Sequence, residues 1–447
     1  MGAQARGRPV SGGVAPARRC AYAVVRRVFE HGAYADRALH AEAADLEPRD
    51  RALAMALAYA TVQRRATLDH LTQQLTGRPV SKLEPAVLAA LRLGLAQLLL
   101  LDGIAEHAAV HESVELAKQG VGSGGAGLVN AVLRRATREG HQMLAALNDD
   151  TPAQAAILHS VPPWLAELWF AELGAGEARA LLTQINRPAE SALRVNTLVS
   201  TRDEVLDVLA VPARAVNDLP EAIVLEAAFD VQGSELWANG MVMAQARGSM
   251  LAGRVLGPGP GASVLDLCAA PGAKTSHIAA LGGKGDRLVA VERHPGRAKA
   301  LVQTLARMRV SGAEVQVGDA ARPRPAGEVY DAVLVDPPCS GLGTLQSRPD
   351  LRWRTSPQRI TELAALQARI LRVGAAATAP GGVLVYSVCT ISDAEGERVV
   401  EAFLDEQPQF SAEALGAPDV GRAPYLRTLP HRDGTDGFFI ARLRHAG

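Results

Sequence analysis

The sequence predicts three parts in order along the chain: an all-α N-terminal domain, a small α/β module and a doubly wound α/β domain. Within residues 18–140, apolar side chains recur at intervals of three and four, which is the period of an amphipathic helix. Residues 141–255 begin with a helical stretch and continue as short strand-like segments. From residue 256 to residue 447, short apolar strands alternate with helical segments, the pattern of a parallel sheet covered by helices on both faces.

Length and charge set broad limits on this organisation. The 447 residues suit roughly two to four domains, and 47 basic residues balance 47 acidic ones, so no overall field attracts a polyanion. Residues 1–140 nevertheless carry 18 Lys and Arg against 13 Asp and Glu. Part of this excess lies in Arg18, Arg19, Arg26 and Arg27. It suggests a polyanion partner, although an ordinary solvated surface has the same composition.

Several classes of protein are disfavoured by the composition. The cysteines are too few and too scattered for a disulfide framework or a zinc site, so we expect a reduced, cytoplasmic compartment and no metal. They are Cys20, Cys268, Cys339 and Cys389. Residues 1–17 have no apolar core of a signal peptide and are expected to form a disordered tail. The most apolar run, residues 87–101, is interrupted by Arg92 and Gln97 and is too short for a membrane span, so a buried helix is expected.

The helices of the N-terminal domain have visible boundaries. Pro79 and Pro85 mark two of them, and Cys20 falls on the first helix, where the core is its simplest place. The glycine-rich segment Gly120–Gly127 predicts a flexible loop before a further helix. All the helices up to residue 140 therefore belong to one all-α domain.

The α/β module begins where the texture of the sequence changes, near Asn186. Ser191–Thr197 and Ala222–Leu225 are predicted strands, and Thr201–Leu209 is a predicted helix. The loop Gly257–Gly261 ends the module.

The third part alternates strands and helices, which predicts a doubly wound parallel sheet. The predicted strands are Ser263–Cys268, Arg287–Glu292, Glu314–Val317, Ala332–Asp336, Val383–Ser387 and Gly437–Leu443. A sheet of this kind binds its ligand beyond the carboxyl ends of the strands. Cofactor-binding and catalytic residues are therefore expected at those ends.

The ends of the first three strands predict a nucleoside site. The segment Asp266–Thr275 combines small residues with a Pro-Gly turn, which lets the backbone approach a ligand closely at a helix N-terminus. Glu292 could accept from two ribose hydroxyls, and Asp319 could accept from the exocyclic amine of an adenine. The loop lacks the phosphate-binding Gly-x-Gly-x-x-Gly pattern, so S-adenosylmethionine is the expected cofactor. The alternative is that both carboxylates are ordinary turn residues.

The ends of the next two strands predict a reaction centre. Asp336-Pro-Pro-Cys339 follows one strand and Cys389 follows its expected neighbour, so both thiols should face one pocket. Thiolate addition to carbon 6 of a cytosine makes carbon 5 nucleophilic, and a second group is then needed to expel the enzyme. Asp336 could stabilise the edge of the pyrimidine. The alternative is that both cysteines are small core residues.

These segments resemble the Sun/NOL/NOP family of RNA cytosine-carbon-5 methyltransferases, and the resemblance covers residues 245–443 almost continuously. The motifs that carry it are Asp266–Thr275, Asp336–Gly341, Arg348–Trp353, Tyr386–Thr390 and Thr435–Ala441. Three positions depart from the residues usual in the family. They are Ala273, Glu292 and Val388. None of the departures removes a reacting group.

The N-terminal part is similar to the NusB-type RNA-binding helical domain. The segments that carry this resemblance are Gly32–Asp36, Asp50–Ala54, Leu91–Gly94, His107–Val114 and Val129–Arg135. That domain fused to this catalytic half resembles bacterial small-subunit rRNA methyltransferases. The resemblance therefore implies 16S rRNA as the partner, free or partly assembled, with no membrane and no obligate protein partner.

The resemblance also implies roles for individual residues. It makes Cys389 the nucleophile and Cys339 the group that helps release the product, whereas the Pro-Cys thiol of DNA methyltransferases would point instead to Cys339. It assigns the cofactor to a set of residues that includes Asp336. The set is Cys268, Ala269, Ala270, Pro271, Gly272, Ala273, Lys274, Glu292, Asp319 and Asp336. The α/β module would contact RNA. Its implicated residues are Arg194, Asn196 and Thr197.

Other functions fit some of the same residues. The same chemistry could act on another RNA such as a tRNA, because the catalytic motifs handle the base and not its surroundings. The chain could also be a non-catalytic RNA-binding assembly factor, although both thiols, Asp336 and Lys274 are intact. Methylation of an exocyclic amine would favour an aromatic residue where Cys339 stands.

Overall fold

The computed structural model describes residues 13–121, 123–282, 287–415 and 424–447, which form two compact units. The first unit contains the chain up to Asn186 together with Arg348–Arg354. The second contains Arg187–Ser347 and Thr355–Gly447. Most of the expected disordered tail, up to residue 12, lies outside the described residues, and a helix already begins at Pro16. The sequence analysis groups residues 141–186 with the α/β module, whereas the structure places them in the first unit.

The first unit is built from α-helices up to Asn186. They are α1 (Pro16–His31), α2 (Ala35–Glu42), α3 (Pro48–Gln63), α4 (Arg65–Thr76), α5 (Pro85–Leu99), α6 (Glu106–Val121), α7 (Ser123–Ala145), α8 (Pro152–Leu158), α9 (Pro163–Leu173) and α10 (Ala175–Gln184). The all-α prediction for residues 18–140 is confirmed.

The core of this unit surrounds α5, whose residues are almost all buried, as the apolar run of the sequence predicts. Arg92 interrupts that run and is paired with Asp69 at 2.6 Å, which accounts for a charge inside the core. The loop predicted at Gly120–Gly127 is wrong, because α6 reaches Val121 and α7 begins at Ser123. At Gly120 an added Cβ would lie 2.8 Å from the Cβ of Ala86, so this glycine serves close packing.

A segment from the second half of the sequence completes the first unit. Arg352 is fully buried, and its guanidinium donates to Asn186 Oδ1 at 3.0 Å. Burial lowers the pKa of Arg352 to about 9. The indole of Trp353 packs against the core of the unit and donates to the carbonyl of Val62 at 2.7 Å. The motif Arg348–Trp353 is therefore structural in its observed contacts.

The second unit contains the remaining elements. Its strands are β1 (Ser191–Val195), β2 (Ala213–Ala215), β3 (Ala222–Leu225), β4 (Val242–Ala244), β5 (Val264–Asp266), β6 (Leu288–Glu292), β7 (Ala313–Val317), β8 (Tyr330–Val335), β9 (Thr378–Val388), β10 (Phe410–Ala412), β11 (Leu426–Thr428) and β12 (Phe438–His445). The helices that follow α10 along the chain are α11 (Arg202–Val208), α12 (Glu235–Ala238), α13 (Arg247–Leu256), α14 (Ala273–Gly282), α15 (Pro295–Arg307), α16 (Leu351–Arg354, which belongs to the first unit), α17 (Pro357–Ala376), α18 (Glu397–Glu406) and α19 (Pro430–Asp433).

The α/β module forms a four-stranded antiparallel sheet in the order β2-β3-β1-β4. The two strands predicted for the module are its central pair, β1 and β3. Capping by Thr201 begins α11, because its hydroxyl accepts from the backbone N–H of Glu204 and the Glu204 side chain accepts in return. Leu193, Val205 and Ile223 are fully buried in the small core beneath the sheet.

The larger sheet has the order β10-β12-β9-β8-β5-β6-β7, with β11 paired to β12. Strands β5 to β9 run parallel to one another, as predicted, and all six strands expected from the sequence are present. The predicted parallel arrangement is wrong for β12, which runs antiparallel to β9, β10 and β11. The connection from β11 to β12 is too short for a crossover helix, and so only an antiparallel return is open to it.

Among the described residues, no helix is both long and apolar enough to cross a membrane. The apolar α5 ends after 15 residues and is covered by the helices of its own unit.

Replacing Trp353 should loosen the first unit. Trp353→Ala removes a large apolar contact and should destabilise the unit by roughly 3 kcal/mol, whereas Trp353→Phe loses mainly one hydrogen bond and should cost about 1 kcal/mol. Hydrogen–deuterium exchange of α3 and α4 measures the effect locally. Trp237→Ala, in the second unit, is the matched control and should leave that exchange unchanged. Equal protection in Trp353→Ala and wild type would contradict the structural role.

Candidate active site

The site lies at the carboxyl ends of five neighbouring parallel strands in the order β9-β8-β5-β6-β7. Direct pairing sets their relative positions: Asp266 of β5 lies opposite Leu334 of β8, and Glu292 of β6 lies opposite Val317 of β7. Every residue that the sequence analysis assigned to cofactor or catalysis follows, or ends, one of these strands. The structure therefore gathers the candidate residues at one edge of the sheet.

The loop after β5 is organised by the buried carboxylate of Asp266. Its oxygens accept from the hydroxyl of Thr275 at 2.7 Å and from the backbone N–H of Cys268 at 3.3 Å. Desolvation raises the pKa of Asp266 to about 6. Asp266 begins the motif Asp266–Thr275, but the sequence alone predicts no role for it. Its contacts show that it holds the two ends of the loop together.

Gly272 brings the loop close to α15. Its φ of +105° lies in the region that glycine favours, and an added Cβ would be 2.9 Å from Leu301 Cδ1. Ala269 and Ala270 are buried, and Pro271 is exposed. The loop thus has no room for a larger residue on the side that faces the helix.

Two further carboxylates end the next strands. Glu292 is buried, accepts from the backbone N–H of His294 at 2.8 Å and lies 3.5 Å from Arg297. Arg297 also donates to the carbonyl of Ala270 at 2.7 Å, so it ties the β6 end to the first loop. Asp319 is partly exposed, and it accepts from the backbone N–H two residues later at 3.0 Å. Both carboxylates keep acceptor capacity beyond these bonds.

An ion pair joins the first loop to the end of β8. Lys274 Nζ lies 2.7 Å from Asp336 Oδ2, and both side chains are largely shielded from solvent. Although desolvation acts to lower it, the pKa of Lys274 is raised overall, chiefly by the charge of Asp336 and further by that of Cys389.

The two candidate thiols meet, as the sequence analysis expected. Cys339 Sγ and Cys389 Sγ are 3.3 Å apart, because β8 and β9 are adjacent and parallel. Both residues are half-buried. The hydrogen bond with Cys389, together with desolvation, holds the pKa of the Cys339 thiol well above its usual range. The raised pKa keeps the Cys339 thiol protonated near pH 7.

The other two cysteines lie elsewhere. Desolvation, reinforced by the charge of Asp266, raises the pKa of Cys268 well above its usual range, which agrees with a lining role and no thiolate chemistry. Cys20 is buried in the core around α1, as expected. Among the described residues, no cluster of His, Cys, Asp and Glu could hold a metal ion.

A tight backbone contact supports the end of β9. The N–H of Gly343 donates to the carbonyl of Cys389 at 3.1 Å, and its own carbonyl accepts from Gly437 at 2.8 Å. An added Cβ at Gly343 would collide with the backbone of Gly437. Through this contact the Thr435–Ala441 motif packs against the end of β9.

The sequence analysis missed a buried polar network beside the thiols. Glu395 is fully buried and accepts from the backbone N–H of Ser340 at 2.8 Å and from Gln367 Nε2 at 2.9 Å. Gln367 also donates to the carbonyl of Pro338 at 3.0 Å. Glu395 follows Cys389 in the sequence without any motif of its own, so no local signal identified it.

Arg194 and Asn196 do not reach the surface, although they were expected to contact RNA. Arg194 is fully buried and donates to Ser276 Oγ at 2.8 Å and to the carbonyl of Ala273 in the first loop. Asn196 is fully buried and donates to the carbonyl of Met308 at 2.7 Å. Both residues instead join the α/β module to the larger domain. Of the three residues expected at the interface, Thr197 alone is exposed.

A second buried group joins the same parts. His277 Nε2 lies 2.7 Å from Glu221 Oε1, and Arg254 also donates to Glu221. Desolvation lowers the pKa of His277 to about 4, so the imidazole is neutral near pH 7. The module is therefore attached to α13 and α14 through the buried carboxylate of Glu221, which binds a residue of each helix.

Comparison with known families accounts for most of the chain. Residues 254–444 match the family described as 16S rRNA methyltransferase RsmB/F, and residues 15–138 match the NusB family. Residues 161–232 match the ferredoxin-like domain of RsmF/B-like methyltransferases. These matches confirm the predicted NusB-type domain and the doubly wound methyltransferase domain, and they give the α/β module a family of its own.

Individual relatives are similar over nearly their whole length. The probable ribosomal RNA small subunit methyltransferase B of Synechocystis is 35% identical, with 96% of this chain and 99% of the relative aligned. The ribosomal RNA small subunit methyltransferase B of Thermus thermophilus is 36% identical, with 89% of each chain aligned. The crystal structure of PH0851 has a TM-score of 0.82 and 26% identity, with 97% of this chain and 99% of that one covered.

Arg194 should influence cofactor binding from its buried position. Arg194→Met removes the bonds to Ala273 and Ser276, and the affinity for S-adenosylmethionine should fall roughly tenfold, the change expected from losing about 1.4 kcal/mol. Arg194→Lys keeps a donor and should lose less. Isothermal titration of the folded variants gives the dissociation constants.

The matched control is Arg307→Met. Arg307 also joins the module to the larger domain, through the carbonyls of Trp237 and Val242, but it has no observed bond to the first loop. Its cofactor affinity should stay within about twofold of wild type. An equal loss in both variants would mean that the interface as a whole, and not Arg194, supports the loop.

Proposed function

The chain belongs to the RsmB/F family of 16S rRNA methyltransferases, and from that premise we propose that it methylates carbon 5 of a specific cytosine in 16S rRNA through a covalent adduct between Cys389 and the base. S-adenosylmethionine is the methyl donor of the family. We infer the base, the carbon that is methylated and the role of each thiol from the residues of the site.

The observation that carries the proposal is the pair of sulfurs 3.3 Å apart beside the Lys274–Asp336 ion pair. Methylation of a nitrogen or an oxygen needs no thiol, because those atoms have lone pairs with which to attack. Carbon 5 of cytosine does not, and it becomes nucleophilic only after a nucleophile has added to carbon 6. Two thiols at neighbouring strand ends suit addition followed by elimination.

The described residues fit S-adenosylmethionine, which supplies an electrophilic methyl group when bound. The buried carboxylate of Glu292 suits a ribose diol, and the partly exposed Asp319 suits the amine of an adenine. The loop from Cys268 to Lys274 would line the same nucleoside, as its small residues and its position after β5 favour. Arg297 binds both Ala270 and Glu292 and so holds the first loop close to the end of β6.

Addition requires Cys389 as the thiolate. An ordinary thiol is only a few per cent ionised at pH 7, so the site has to favour its anion. Lys274 provides the positive charge, and the Cys339 thiol donates a hydrogen bond to the sulfur. We infer that Asp336, held by Lys274, accepts a hydrogen bond from the exocyclic amine of the cytosine and so orients the ring for addition.

Elimination requires a base for the proton on carbon 5. While Cys389 is a thiolate, its hydrogen bond and charge help keep Cys339 protonated. Once the sulfur of Cys389 is bonded to carbon 6, both of these causes disappear, and the pKa of Cys339 is then raised only by desolvation and by the charges of Glu395 and Asp336. Cys339 can then lose its proton to solvent and take the proton from carbon 5 as the Cys389 thiolate leaves. Formation of the adduct thereby prepares the group that ends it.

RNA is the substrate of the family, and we propose that the first unit helps to dock it. The arginines that first suggested this are largely paired: Arg18 with Glu112 at 2.9 Å, and Arg26 with Glu30 at 2.7 Å. Phosphate contacts would therefore come from other residues of the NusB-like surface. We propose small-subunit rRNA, free or partly assembled, as the substrate and the cytoplasm as the compartment, since bacterial ribosomes are assembled there.

The proposal predicts the product. Purified protein and labelled S-adenosylmethionine should convert unmodified 16S rRNA to a form with one 5-methylcytosine, identified by nucleoside mass spectrometry, while a tRNA transcript stays unlabelled. The physical reason is that only carbon 5 needs the paired thiols. Label on an exocyclic amine or a ribose oxygen would refute the mechanism, and label on the tRNA alone would refute the substrate.

The two thiols should give opposite phenotypes. Cys339→Ala can add and methylate but not eliminate, so it should accumulate an RNA–protein adduct that survives denaturing electrophoresis. Cys389→Ala should form no adduct and no product. Both variants should bind S-adenosylmethionine with wild-type affinity, which controls for folding. An adduct in Cys389→Ala alone would assign the nucleophile to Cys339.

A further inference from the structure

The two cysteines are held in place by different means. Cys389 directly follows β9, whose last residue, Val388, is paired with Phe439 of β12, and its carbonyl accepts from Gly343. Cys339 lies in irregular backbone after β8, which ends at Val335. The hydrogen bonds of the sheet therefore position Cys389, whereas Cys339 lies beyond the last paired residue of β8.

Beyond the end of β8, hydrogen bonds from side chains hold the backbone around Cys339. The residue before Cys339, Pro338, has its carbonyl bound by Gln367 Nε2 at 3.0 Å. The residue after it, Ser340, has its N–H bound by Glu395 Oε1 at 2.8 Å. Gln367 Nε2 and Glu395 Oε1 are themselves 2.9 Å apart. The backbone on both sides of Cys339 is thus fixed to one pair of buried side chains.

The same network reaches the residue after Cys389. Thr390 Oγ1 lies 2.9 Å from Ser340 Oγ and 3.4 Å from Glu395 Oε2. Ser340, Thr390, Gln367 and Glu395 are all buried. Glu395 therefore contacts the neighbours of both thiols, although it touches neither sulfur in the observed hydrogen bonds.

We propose that Glu395, together with Gln367, is a positioning residue for Cys339 and sets its distance from Cys389 for the elimination step. The inference rests on the proposed function, because it assumes that Cys339 acts after Cys389 has added to the base. Loss of Glu395 should leave Cys389, held by its strand, able to add. Cys339 would be misplaced, and elimination would slow more than addition.

The test measures trapped adduct as well as turnover. Glu395→Ala should lower kcat roughly tenfold or more and accumulate the denaturation-resistant RNA adduct seen with Cys339→Ala, with the KM for S-adenosylmethionine unchanged. Glu395→Gln keeps an acceptor for Ser340 and Gln367 and can donate to Thr390, so it should restore turnover to within about threefold of wild type. A general loss of stability would lower activity without trapping adduct.

A matched pair of threonine variants keeps the test independent of the folding of Glu395→Ala. Thr390→Val removes the hydroxyl that joins the two cysteine loops and should also trap adduct. Thr378→Val removes a buried hydroxyl at the opposite end of β9, bonded to Gly374, and should trap none.

The possible outcomes separate this inference from the proposed function. If Cys339→Ala traps adduct while Glu395→Ala and Thr390→Val lose activity without trapping it, the positioning role is wrong and the thiol mechanism stands. If Glu395→Gln is as impaired as Glu395→Ala, charge and not hydrogen bonding is the contribution, and the inference fails. If Cys339→Ala itself traps no adduct, the thiol mechanism fails first.

Discussion

Parallel pairing of β8 with β9 is the constraint from which the rest of the site follows. It places two irregular strand ends side by side, and the sulfurs of Cys339 and Cys389 come within 3.3 Å. A shift of register by one residue would exchange the side chains that each strand buries in the two cores on opposite faces of the sheet. Buried side chains of β8 and β9 form part of the core of the domain. The packing that stabilises the sheet therefore also fixes the distance between the two thiols.

Electrostatics then distinguishes two side chains of the same type. The charges of Asp336 and Cys389 raise the pKa of Lys274 against desolvation, while the hydrogen bond with Cys389 and desolvation raise the pKa of the Cys339 thiol. The difference arises from the first loop, because Lys274 is held by Asp336 and the loop itself by Asp266. The cofactor loop and the reaction centre are therefore electrostatically one unit, and the α/β module joins them through Arg194.

Local sequence was sufficient for part of this arrangement. Strand patterns placed both cysteines and all the cofactor carboxylates at one edge of the sheet, because strand order in a doubly wound fold follows simple rules. Arg194 was misread as a surface residue, since its burial depends on packing against Ala273, 79 positions later in the chain. Glu395 left no signal, because a single carboxylate in a polar turn is ordinary until the fold buries it. The strand β12 was predicted, but its antiparallel direction was not, because apolar alternation does not encode strand direction.

The contribution of Arg348–Arg354 to the first unit also bears on how the chain is made. A ribosome finishes the helices up to Asn186 well before it reaches Trp353, and at about 5–20 residues per second the interval is roughly 8–33 s. During that time the carbonyl of Val62 and the apolar surface beside it have no indole to cover them. The N-terminal unit is therefore completed late in translation, although it is synthesised first.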